Sequence, residues 1–490
     1  MHIRYVNVSN DSCSTSVQAV PDIAPSPPVS DRLDRQTRLT LAVLVLGGIA
    51  AVLDTTVVTI ALHDLVIDLH TSVATVQWVT TAYLLALTAV IPAVGWAEAR
   101  VGGKRLWLTA LATFLTGSLL CAVAWNPLSL IMFRVLQGVG AGIVMTLMMT
   151  LAMRAVQGRA TARVTAAISL PMAVGPVVGP ILGGVLLDWA DWRWIFLINL
   201  PLCAAGIIGA LRVLPEDAPR SRARPVLDVV GLGLLTPGLA VTVYGLSRCG
   251  DGDAAGGYGL TAALVASGLL LIAGFVGWAA RRRESALIRV SLFARRSVGS
   301  ASLMMFLVGV TLYGSMFLLP LYWQLARGES ALGAAMVLVP QGVGSLLSRV
   351  FIARLVERFG APMVCFASFL VAAVATAPFA LADGHTSVWW LGVVLLVRGL
   401  GLGAVMVPIV SSAYVGLEPV NVPHASMQTR ALQQMGGAFG VAAAAMLLQA
   451  LADRGTVGQF HWVFWVFTIL AALASVASFS LPDGRLREPV

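Results

Sequence analysis

Asp54 and Arg134 are the side chains in this sequence whose chemistry conflicts most with their surroundings. Asp54 lies in Leu53-Asp54-Thr55-Thr56-Val57-Val58, well inside an apolar stretch from Leu39 to Leu62. Arg134 lies inside another apolar stretch, in Arg134-Val135-Leu136-Gln137-Gly138. A carboxylate at the centre of a membrane helix costs about 2.5–3.5 kcal/mol on insertion scales. Such a group faces a cavity or a partner charge, and its usual work is handling protons or ions. A third pattern shapes a helix instead of doing chemistry: Gly175-Pro176-Val177-Val178-Gly179-Pro180, followed by Gly183 and Gly184. Its four-residue steps put Gly175, Gly179 and Gly183 on one face, where another backbone can approach closely. Pro176 and Pro180 each remove a helical hydrogen bond and bend the axis.

The elements that must position these residues are membrane spans. Hydrophobic residues make up 58% of the 490 and charged residues 11%, against about 25% charged in a soluble domain. Mean hydropathy is +0.86. These values exclude a soluble globular or disordered chain. Cys13, Cys121, Cys203, Cys249 and Cys365 lack metal spacing and read as free thiols or small apolar fillers. A Walker loop, a nucleophile elbow and His-rich metal spacing are all missing from the sequence. The expectation is a protein that is not an enzyme, holds no metal or cofactor, and does not use ATP as its direct energy source.

A span needs about 20 mainly apolar residues. The sequence predicts an all-α integral membrane fold of fourteen transmembrane helices, near 39–62, 75–97, 106–125, 128–152, 162–187, 192–211, 227–247, 257–280, 299–323, 331–353, 361–382, 387–412, 425–450 and 461–481. The expected organisation is a disordered cytoplasmic tail over 1–37, a six-helix half over 38–212, a linker with two extra helices over 213–298, a second six-helix half over 299–482, and a short cytoplasmic tail over 483–490. The Pro- and Ser-rich composition of the first segment carries the tail assignment. Net charge is +9. Most of the Lys and Arg fall in segments on one side of the predicted membrane, whereas the loops on the other side hold only Arg193, Arg248, Arg327 and Arg454. That asymmetry predicts both termini in the cytoplasm, in a multi-pass protein of the cytoplasmic membrane with no nucleic-acid partner.

With that orientation Asp54 lies about 13 Å, and Arg134 about 10 Å, below the outer ends of their spans. The two charges are at similar depth and able to pair. Pairing would lower the insertion cost of each and make protonation of the carboxylate respond to what enters the bundle. Two weak internal matches suggest a repeat. Arg100 and Gly102 correspond to Arg358 and Gly360, and Arg134 with its following glycines corresponds to Arg398 with Gly401 and Gly403. Parallel repeats with the site between halves are a transporter architecture.

Five motifs in order resemble those of the major facilitator superfamily, in its fourteen-span drug:proton antiporter branch. They are the Asp54 run, Gln77-Trp78-Val79-Thr80-Thr81-Ala82-Tyr83, the Arg134 run, the Gly-Pro run, and Trp192-Arg193-Trp194-Ile195-Phe196-Leu197-Ile198-Asn199-Leu200-Pro201. The resemblance spans Leu39 to Pro482. It implies two six-helix halves around a central cavity, alternating access, and export of a small molecule in exchange for a proton. It further implies that Asp54 couples protons with support from Arg134, and that Gly175, Pro176, Gly179, Pro180, Gly183 and Gly184 shape the interface between halves. An inner-gate motif is expected at Gly95, Glu98, Arg100, Gly102, Lys104 and Arg105, but Ala99 stands where the family has Asp. Glu98 is one helical step, about 100°, away from that position.

Trp78, Tyr83, Tyr313, Phe317 and Gln324 are the candidate substrate contacts, because aromatic faces suit planar or cationic guests. The expected substrates are amphiphilic compounds, cationic ones among them, driven by the proton gradient. An exporter dedicated to one endogenous antibiotic or metabolite is the alternative; a non-transporting membrane sensor is the remote one.

Overall fold

The computed structural model describes residues 34–156, 161–217, 227–248, 257–282, 289–418 and 421–483. The tail expected over 1–37 lies outside the described residues as far as residue 33, while residues 35–37 already belong to α1; of the tail expected over 483–490 only Asp483 is described. Every regular element among the described residues is helical: α1 Arg35–Ile60, α2 Leu62–Asp68, α3 Val73–Val101, α4 Gly103–Ala122, α5 Pro127–Ala155, α6 Thr161–Trp189, α7 Trp194–Leu197 and α8 Asn199–Val213. Then follow α9 Val229–Ser247, α10 Gly257–Arg282, α11 Arg296–Leu321, α12 Ala331–Phe359, α13 Ala361–Thr376, α14 Val388–Ala413, α15 Val422–Ala450 and α16 Thr456–Ala477. Thirteen helical spans among the described residues are long and apolar enough to cross a membrane. The 29-residue α6 supplies the fourteenth, so the protein has the fourteen-helix architecture that the sequence predicts.

Two boundaries differ from the sequence reading. The first span stops at Ile60, and Leu62–Asp68 forms a separate turn-linked helix, so His63 lies outside the span. The sixth span is broken into α7 and α8. Between α10 and α11, Val290–Ala294 forms a short 3-10 turn.

Small residues set the closest helix contacts. In α5, a Cβ on Gly138, Gly140 or Gly142 would strike the backbone of Tyr83, Phe114 or Leu87 respectively. These glycines let α5 sink between α3 and α4, which draws Arg134 into the bundle. In α6, Cβ atoms on Gly175 and Gly179 would overlap Val52 and Thr56 of α1, while one on Gly184 would lie 2.7 Å from Leu332 Cα of α12. Helix α6 is therefore wedged between the first half and the second. The extra helices α9 and α10 form a hairpin that leans on α3 through Trp78 and Tyr244, whose ring centroids are 5.9 Å apart. Asp228 caps α9 at Gly231 N, 2.9 Å away, and accepts the Trp278 indole N–H at 2.9 Å.

The weak repeat is visible in three dimensions. Gly102 and Gly360 end α3 and α12 with φ of +98° and +84°, a region that disfavours any side chain. Asp217, which follows α8, packs against Gly102, and Asp483, which follows α16, packs against Gly360. Asp217 also accepts from the N–H groups of Lys104 (2.9 Å) and Arg105 (3.3 Å), capping the N-terminus of α4. Replacing Gly102 by Ala forces both the disfavoured φ and a collision with Asp217. The expected loss is about 1–2 kcal/mol from backbone strain alone, read as a lower unfolding midpoint in detergent, with Gly360→Ala behaving alike.

Candidate functional site: a buried ion pair beside a central cavity

Arg134 and Asp54 meet inside the first half. Arg134 Nη1 donates to Asp54 Oδ2 at 2.5 Å, and both side chains are excluded from solvent. The remaining polar atoms are almost fully engaged. Gln137 Nε2 (2.7 Å) and Asn199 Nδ2 (3.1 Å) donate to Asp54 Oδ1. Gln137 Oε1 accepts a second bond from Arg134 Nη1 at 2.6 Å, and Arg134 Nε donates to Val79 O at 3.0 Å. Ser118 Oγ accepts from Gln137 (3.1 Å) and Asn199 (2.9 Å) and donates to Phe196 O (2.9 Å). The guanidinium lies 4.0 Å above the Tyr83 ring and 5.8 Å from Phe196, which adds cation–π attraction. A carboxylate with three donors, facing a guanidinium with acceptors of its own, is the arrangement in which a buried pair can offset its desolvation cost.

This cluster gathers side chains from α1, α4, α5 and α8 around one carboxylate. The sequence reading missed Gln137, Ser118 and Asn199. Gln137 was findable one helical turn beyond Arg134, and Asn199 lies in the Trp192–Pro201 run; Ser118 gives no signal, being one hydroxyl among many in an apolar helix.

Asp54 does not open into the central cavity. That cavity has a volume of about 290 Å³ and lies between the halves. The opposite face of α1 lines it through Thr55, Thr56 and Thr59, together with Pro176 and Pro180 of α6. From the second half come Tyr313, Gln341, Arg349, Arg430 and Gln433. One wall of the cavity and the backing of the ion pair are thus a single helix. Tyr83 ties the two together, since its hydroxyl donates to Ala51 O at 3.3 Å while its ring supports Arg134.

Of the five expected substrate contacts, only Tyr313 lines the cavity. Tyr83 is sealed in the ion-pair cluster, and Phe317 is fully buried in a core that joins the halves. Trp78 packs on α9. Gln324 Nε2 donates to Ile60 O across the halves at 3.0 Å. Asp188 makes a further link between the halves, accepting from Ser330 Oγ (3.2 Å), at the N-cap of α12, and from Leu332 N (3.4 Å) in its first turn. These contacts close one end of the bundle. Aromatic type alone overestimated cavity exposure because large rings fill interhelical contacts equally well.

The expected inner-gate residues lie together at the end of α3 and the start of α4. Glu98 pairs with Arg154 at 2.7 Å, tying α3 to α5, and its side chain is 10% exposed, so it is not a solvated helix end. Lys104 Nζ meets Glu216 at 3.0 Å and Leu211 O at 3.2 Å. Arg100 sits over the Trp96 ring at 5.4 Å, and Gly95 is exposed with open space beside it. Asp217 supplies a carboxylate to this corner although Ala99 does not.

The sequence and the fold resemble those of known proteins. The Major Facilitator Superfamily sequence model matches residues 44–440 and again 301–489. The chain is 37% identical over 421 residues to a multidrug resistance protein B homolog of Mycobacterium tuberculosis, covering 85% of this chain and 77% of that protein. It is 29% identical over 364 residues to the putative multidrug resistance protein MdtD of Serratia proteamaculans, covering 74% of each. A crystal structure of the nucleoside transporter NupG, in a mutant form, superposes with a TM-score of 0.63 at 12% identity, covering 90% of this chain and 99% of that one, which shows the fold.

Removing one partner of the pair strands a buried charge. Asp54→Ala is expected to destabilise the protein by about 3–5 kcal/mol. Replacing Asp54 and Arg134 together by Leu is expected to cost less than Asp54→Ala alone, because no charge is left without a counterion. Thermal unfolding in detergent measures both.

Proposed function

The chain belongs to the Major Facilitator Superfamily, and on that premise we propose that it is a proton-coupled exporter of amphiphilic small molecules in the cytoplasmic membrane. Its similarity to proteins named for multidrug resistance supports the export reading. One observation supports proton coupling above others: the single helix α1 presents Asp54 to Arg134 on one face and Thr55, Thr56 and Thr59 to the cavity on the other.

Alternating access here consists of rocking one half, 38–212, against the other, 299–482, with α9 and α10 as an accessory hairpin. With both termini in the cytoplasm, the end closed by Gln324–Ile60 and Asp188–Ser330 is the outer one, and the conformation is inward-facing. A substrate reaching the cavity presses on α1. That pressure seats the helix against Arg134, Gln137 and Asn199, whose bonds to Asp54 favour the charged carboxylate. Proton arrival at Asp54 removes the negative charge that holds Arg134, loosening the same helix from its other face. Occupancy of the cavity and protonation of Asp54 thereby compete for the position of α1, which is the linkage an antiporter needs. Tyr83 transmits part of the displacement through Ala51 O. The Gly175–Gly179–Gly183 face of α6 gives α1 a smooth surface to move along, while Pro176 and Pro180 of the same helix line the cavity.

The test is substrate-driven proton movement in proteoliposomes. Asp54→Asn is expected to retain substrate binding while losing proton release to below about a hundredth of wild type, the scale of an abolished protonation step. Wild-type proton exchange by that variant contradicts the assignment. Arg134→Lys keeps the charge but loses the forked geometry, and is expected to slow exchange without abolishing it.

A further inference from the structure

Among the described residues, the charged groups that border the cavity are of one sign. Arg349 of α12 and Arg430 of α15 line it, and no described lining residue is Asp or Glu. The sequence of 157–173, leading into the Gly-Pro run of α6, contains no Asp or Glu either. The carboxylate closest along α1, Asp54, is turned away and held by Arg134.

A third cation stands directly behind the wall. Arg398 of α14 is 3% exposed. It occupies in the second half the place that Arg134 occupies in the first, but the residue of α11 that it meets is Ser315, where α1 offers Asp54. Its other partners are Thr376 Oγ1 at 2.9 Å and Gln341 Oε1 at 2.6 Å. All three are neutral oxygens. The guanidinium is hydrogen-bonded but its charge is not balanced by any carboxylate among these partners, and a buried cation in that state strongly attracts an anion that comes near. Gln341 both accepts from Arg398 and lines the cavity, so the charge lies one side chain from the bound guest. The first half contributes a neutral pair, and the second half contributes the positive charge of Arg398.

The rest of the lining is apolar or weakly polar. Leu312, Met316, Leu338 and Met406 give a flexible hydrophobic wall, of the kind that adapts to varied guests. Arg430 is exposed to the space, which it lines with Tyr313 and Gln433.

We propose that the cavity recognises amphiphilic organic anions: Arg430 takes a carboxylate or comparable acid group, Arg398 reinforces it through Gln341, and the apolar body lies against the Leu and Met wall. This revises the substrate class expected from the aromatic residues, which favoured cations, and it rests on the reading of the cavity as a transport site. A forked guanidinium suits a carboxylate geometrically as well as electrostatically.

The experiment compares three probes that share one naphthalene body: 2-naphthylacetate, its methyl ester, and a trimethylammonium analogue. Binding to the purified protein and counterflow in proteoliposomes are measured separately. The wild type is expected to prefer the acid to the ester by about 10-fold or more, the scale of a charge-assisted hydrogen bond. Arg430→Gln is expected to reduce that acid-to-ester ratio toward one, and Arg430→Lys to restore part of it. Persistence of ester binding in Arg430→Gln reports that the variant is folded; if it binds neither probe, the ratio in Arg398→Gln, expected to fall in the same direction, decides. Equal or tighter binding of the ammonium probe, or an acid preference untouched by both Arg430→Gln and Arg398→Gln, overturns the anion assignment while leaving export intact. Binding of the acid with no counterflow of any probe instead overturns the transport reading on which it rests.

Discussion

A full negative charge and a full positive charge share a space from which water is excluded, and the first half of the bundle is organised around keeping them satisfied. Arg134 can reach Asp54 only because Gly138, Gly140 and Gly142 let α5 approach α3 and α4 to contact distance. Once there, the pair needs more donors and acceptors than its two members supply. Gln137, Asn199 and Ser118 provide them, and each belongs to a helix that must then hold its register. Losing any one would leave a buried polar atom without its partner, at a cost of about 1–3 kcal/mol. The cluster therefore pins α1, α4, α5 and α8 together, and a change in the charge of Asp54 is felt by four helices at once.

The two halves repeat a fold but not its electrostatics. Gly102 with Asp217 and Gly360 with Asp483 solve the same turn in the same way. Arg134 and Arg398 enter their halves from corresponding helices, yet one meets a carboxylate and the other a serine hydroxyl. A duplicated scaffold has thus been put to two uses. The first half holds a balanced pair; the second keeps positive charge next to the central space. Helix α6 joins them mechanically, with glycines against α1, Gly184 against α12 and two prolines on the cavity.

Most of the fold was legible because a lipid-spanning helix must be long and apolar, and hydropathy measures that directly. The depth comparison of Asp54 and Arg134 also worked from sequence, since rise per residue is fixed in a helix. What could not be read was lateral direction. Asp54 faces its own half and not the cavity, and Tyr83, Phe317 and Gln324 fill contacts that depend on which helices become neighbours. Helices buried on most sides carry little amphipathic signal to orient them. The carboxylate at the α3–α4 corner was hidden for a related reason: Asp217 comes from more than a hundred residues away, so the Ala99 substitution looks like a loss until the chain is folded.

The central claim is that Asp54 gains and loses the coupled proton. Infrared difference spectroscopy of the purified protein, with and without substrate, observes this directly, because a protonated carboxyl group absorbs apart from a carboxylate. The account requires a protonated-carboxyl band that disappears when substrate binds, and that is missing from Asp54→Asn. A substrate-sensitive carboxyl band that survives in Asp54→Asn would place the coupled proton on another group and contradict it.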